Sequence, residues 1–126
     1  MAEVASVHKE EVVVMEQRKI EAYRFIESKV LLDIRQISAR YLQPRTFFSF
    51  FSHKNRRTVE YIARLSYAFH NLPVFLENRN MDDFDENLFW LGIDELTKDF
   101  NDIMVTNYHV LFERYLEGEK VNILEH

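Results

Sequence analysis

With 126 residues and 15.3 kDa, the chain has the length of one domain, and residues 1–126 read as a single unit. Hydrophobic residues make up 47%, enough for a real core, and the formal net charge of −5 argues against nucleic acid as a partner. No cysteine, two glycines and two prolines exclude a disulfide framework, a thiolate metal centre, a cysteine nucleophile, a β-sandwich or barrel and a glycine-rich phosphate loop.

The first long segment, about 7–42, holds neither glycine nor proline. Tyr23, Ile26, Val30, Ile34, Ile37 and Tyr41 recur every three or four residues, which predicts a helix with one apolar face. The β-branched run Val12 to Val14 predicts a late or frayed start over 1–8. Glu16 with Lys19 and Glu21 with Arg24 are spaced for surface ion pairs. Pro44 ends this helix, because the residue before a proline is pushed away from helical angles. The connector that follows carries Phe47, Phe48, Phe50 and Phe51 where a polar loop is the norm.

A second helix is predicted over about 54–72, entered through Ser52 or Asn55, with the stripe Tyr61, Ile62, Leu65, Ala68, Phe69 and Leu72. Pro73 suits the first turn of a short helix at about 74–77. Asp82 or Asp83 can cap the last segment, whose stripe runs Phe84, Leu88, Leu91, Leu96, Phe100, Ile103, Met104, Tyr108, Leu111 and Tyr115. Gly92 with Asp94 can split that segment, or leave one bent helix, before Gly118 stops it; 119–126 reads as frayed and 124–126 as a tag remnant. The expected fold is an all-α, antiparallel up-and-down bundle of three major helices and one or two short ones.

Charge is segregated along this frame. Residues 34–59 carry no acid and six cations, whereas nine acids between 77 and 102 face only Arg79 and Lys98. Arg45, Lys54, Arg56 and Arg57 form a candidate anion site in the basic stretch, although neutralisation within the fold explains the segregation more simply. His109 and Glu113 stand four apart, but two ligands do not make a metal site, and no cofactor is expected.

Arg64 and His70 resemble the loose arginine-x(4–6)-histidine pattern of the HEPN superfamily, helical bundles many of which cleave RNA as dimers. That resemblance implies an RNA-cleaving or nucleotide-handling enzyme, with Arg64 steadying phosphate charge and His70 moving a proton. It covers two residues, a match that this composition yields by chance, and six steps along a regular helix turn the two side chains about 120° apart. The main expectation is therefore a non-enzymatic protein that works by association, a homodimer or other protein complex with Phe47, Phe48, Phe50 and Phe51 at the interface. With no basic, apolar leader and no membrane-length apolar run, a cytoplasmic location is expected.

Overall fold

The computed structural model describes residues 2–42, 53–70, 72, 84–104 and 106–124, with side chains from residue 16 in the first helix and from residue 56 in the second. Among the described residues the chain forms four helices and no strand: α1 (Ala2–Tyr41), α2 (His53–Phe69), α3 (Glu86–Asp99) and α4 (Tyr108–Leu116). The all-helical expectation holds, and no helix among these residues is long and apolar enough to cross a membrane. Helix α1 is already regular at Ala2, earlier than the β-branched run predicts, and spans 40 residues, about 60 Å at 1.5 Å per residue.

The predicted stripes of α1 and α2 form the core: Tyr23, Ile26, Val30 and Ile37 are buried against Tyr61, Leu65, Phe69 and Leu72. The stripe expected at the start of α3 is wrong in phase. Leu88 and Leu91 face water, Trp90 and Ile93 are buried in their place, and Leu96 is buried as expected. Both sets have helical spacing, so periodicity alone cannot choose between them. The larger apolar surface of Trp90, with Phe89 beside it, decides the rotation. Rings from all four helices meet here, Tyr23 lying 4.5 Å from Phe112 and 6.0 Å from Trp90, while Phe69 packs edge-on against Phe89.

Gly92 does not break the chain; it lies inside α3, and the interruption comes at Phe100 to Asn107. Helix α3 is capped by Asp85, whose carboxylate accepts the Leu88 N–H at 3.1 Å, while Asp82 and Asp83 lie outside the described residues. Asn107 caps α4 in the same way through Val110 N–H at 3.2 Å.

Gly118 ends α4 as expected, and its chemistry is specific. At φ 88° its N–H reaches Tyr115 O and the next N–H, that of Glu119, reaches Arg114 O, the paired bonds of a Schellman stop. A Cβ at this position would stand 2.9 Å from Nη2 of Arg18, at the other end of the α1–α4 contact. Gly118→Ala is expected to lower stability by about 1–2 kcal/mol, read as a shift in the urea midpoint, because an L side chain resists the left-handed region. The tail beyond is held rather than frayed at its root, with Glu119 on Arg114 at 2.6 Å and Val121 against the core.

Candidate interaction surface and buried polar cluster

Three regions of the described structure carry more chemistry than packing requires. The first is buried in the core. Lys29 and Asp33 sit one turn apart on α1, on the face that holds Ile26, Val30 and Ile37, and both are almost wholly removed from water. Lys29 Nζ lies 3.0 Å from Asp33 Oδ1. The other carboxylate oxygen accepts two short hydrogen bonds, from Thr106 Oγ1 at 2.7 Å and from the Tyr108 hydroxyl at 2.6 Å. The Tyr61 hydroxyl of α2 is also fully buried, with no hydrogen-bond partner among the described residues. One ion pair on α1 therefore gathers groups from the α3–α4 connection and from α4. Burial drives the Tyr108 and Tyr61 hydroxyls well above their ordinary range, and the Asp33 charge adds to it.

A second polar group sits where α1 meets the start of α3. Lys19, expected to pair with Glu16, reaches Glu86 Oε1 at 2.7 Å, and the Tyr23 hydroxyl donates to Glu86 Oε2 at 2.8 Å. Trp90 Nε1 donates to Tyr23 at 3.2 Å, and Trp90 stacks on His109 with ring centroids 4.7 Å apart. Burial and then Glu86 push the Tyr23 hydroxyl up as well. His109 has Asp94 at Nδ1, 3.0 Å away, and Glu113 at Nε2, 3.2 Å away. Carboxylates on opposite ring nitrogens cannot converge on one ion, and among the described residues no group of three or more His, Asp or Glu could hold a metal.

The third feature is open to solvent. Arg64 and Ala68 of α2 and Gly92, Ile93, Glu95, Leu96 and Asp99 of α3 line a groove of about 180 Å³. On the same two helices Tyr67 is 84% exposed, Leu88 65% and Leu91 56%. A Cβ added to Gly92 would meet nothing within 4 Å among the described residues, so their packing does not require a glycine there.

Arg64 pairs with Glu60 at 2.7 Å and lies over the Phe100 ring. His70, just past the end of α2, is exposed and is not among the residues lining the groove. Of the basic stretch, Arg57 is engaged from within the chain, bonding Asp102 Oδ1 at 2.7 Å and the Asp99 carbonyl at 2.9 Å above the Phe100 ring. Its guanidinium is held charged more firmly by Asp102. This is one direct meeting of the basic and acidic stretches. Arg56 is exposed, the Lys54 side chain is not among those described, and Arg45, Phe47, Phe48, Phe50 and Phe51 lie outside the described residues.

Sequence reasoning misses the Lys29–Asp33 pair because it assigns charged residues to the surface. The signal was present, since both fall on the Ile26–Val30–Ile37 face by spacing. Nothing in the sequence marks Thr106 and Tyr108 as their partners. Compared with known proteins, the chain matches no family model, no curated protein and no solved structure.

Proposed function

We propose that this is a small non-enzymatic bundle that works by protein association, forming a homodimer through the outer face of α2 and α3. The bundle is read as antiparallel and up-and-down, with three longer helices and one short. Contact partners support this by running in opposite senses: Phe25 meets Tyr115 while Asp33 meets Tyr108, and Arg57 meets Phe100 while Phe69 meets Phe89.

The observation that carries the association reading is the exposure of Tyr67, Leu88 and Leu91 on the two helices whose groove is lined by Gly92 and Ala68. Three large apolar side chains on one face approach the patch that soluble monomers rarely leave uncovered. A mid-helix glycine costs about 1 kcal/mol relative to alanine, and no contact among the described residues recovers that cost. Close approach of another backbone would. A second copy is the occupant because the same face offers Arg64 together with Glu95 and Asp99, so a two-fold axis can set cation against anion.

Sedimentation at tens of micromolar is expected to show a dimer. The variant Tyr67→Glu/Leu91→Glu keeps the helical circular dichroism, because both positions are solvent-facing, and raises the dissociation constant at least tenfold. A wild-type chain that stays strictly monomeric at that concentration would remove this reading.

A further inference from the structure

The apolar stripe of the last segment continues without a gap across the interruption between α3 and α4. Leu96, Phe100, Ile103, Met104, Tyr108, Leu111 and Tyr115 hold helical spacing throughout, and no glycine or proline lies between Ile93 and Glu117. Local sequence therefore favours one continuous helix where the structure has two.

The backbone is close to that alternative. Phe100 N–H closes α3 on Leu96 O at 3.1 Å, and one isolated turn follows, in which Ile103 N–H and Met104 N–H both bond Phe100 O, at 3.0 and 2.8 Å. What opposes continuation is tertiary and comes from two other helices. Arg57 of α2 takes the Asp99 carbonyl at the end of α3 and the Asp102 carboxylate just after it. Asp33 of α1 takes the hydroxyls of Thr106 and Tyr108, on either side of the α4 cap.

We propose that the α3–α4 connection is a hinge held bent by these two clasps, and that releasing them straightens α3 and α4 into one helix whose α4 half exchanges with a second copy of the chain. Exchange is required because α4 supplies Tyr108, Leu111 and Phe112 to the core. A lone straightened chain leaves those residues and the cavity they filled in water, whereas an exchanging partner fills the cavity with its own α4. The two states then share nearly all contacts and differ in the connection, the arrangement that makes a fold bistable.

This hinge shares Asp99 with the α2–α3 groove, through its carbonyl on Arg57, yet the two readings fail separately. Because the chain lacks cysteine, Asn87→Cys/Glu117→Cys gives two exposed labelling sites and no others. Electron–electron double resonance on labelled chains refolded with excess unlabelled chain reads the distance within one chain. Bent, the sites lie within about 20 Å, as packed helices require; straightened, about 45 Å, from 30 residues of helix.

Wild type is expected to show the short distance. In the clasp variant Asp33→Asn/Arg57→Ala, and in the hinge variant Asn101→Ala/Asn107→Ala, the long distance is expected to grow at least tenfold together with a dimer. The hinge variant alters only exposed side chains, so it remains informative if the clasp variant does not fold. A folded hinge variant with only the short distance at high protein concentration overturns the proposal. A wild-type dimer that keeps the short distance in every variant also overturns it, while leaving association through α2 and α3 standing.

Discussion

Lys29→Met is expected to cost the fold about 3–5 kcal/mol, a large share of the roughly 5–15 kcal/mol that holds a domain together. Methionine fills the volume of the lysine stem, so packing changes little. What changes is Asp33, left in the core without its cation beside the Thr106 and Tyr108 hydroxyls. Urea unfolding followed by circular dichroism measures the loss. The whole set removed together, Lys29→Met/Asp33→Leu/Thr106→Val/Tyr108→Phe, is expected to return within about 2 kcal/mol of wild type, because no buried charge or unpaired hydroxyl of the set remains. A quadruple variant no more stable than Lys29→Met would show that an uncompensated charge is not what the single change creates.

The second large effect is alkaline unfolding. Tyr23, Tyr61 and Tyr108 are buried, and each hydroxyl is pushed above its ordinary value, chiefly by loss of solvent. In the unfolded chain all three ionise near pH 10, whereas in the folded chain they stay protonated beyond it. The folded state then binds more protons, so stability is intact below pH 10 and falls as pH rises above it. Three such groups give a slope of about 4 kcal/mol per pH unit, at about 1.4 kcal/mol each. Two pH units above that threshold consume a stability typical of a small domain. The tyrosinate absorbance of these three and the circular dichroism are expected to change together in one cooperative step. More than three of the six tyrosines ionising with the helical signal intact would contradict their burial.

How far the sequence could be read depended on whether local pattern or tertiary contact decided each feature. Periodicity located the buried faces of α1 and α2, since every alternative phase of those helices would bury arginines and glutamates. At the start of α3 it failed, because Phe84–Leu88–Leu91 and Trp90–Ile93–Leu96 are both respectable stripes on one helix. Gly92 looked like a breaker and is an ordinary helical residue, while the true interruption falls in a stretch with no breaker at all. Its cause is the pull of Arg57 and Asp33, contacts separated by more than forty residues from their targets. Of the candidate surface, the basic and acidic stretches were legible and meet through Arg57 and Asp102. The exposed trio Tyr67, Leu88 and Leu91 was not, since it depends on how two helices are rotated toward each other.

The single tryptophan has a consequence for following this molecule in solution. Trp90 touches Tyr23 of α1 and Phe112 and His109 of α4 while belonging to α3, so its indole reports on three helices at once. A nearby imidazole and a hydrogen-bonded phenol make its emission sensitive to whether that junction is assembled. The protein thus carries its own optical gauge, and departure of α4 would register in its glow before any probe is attached.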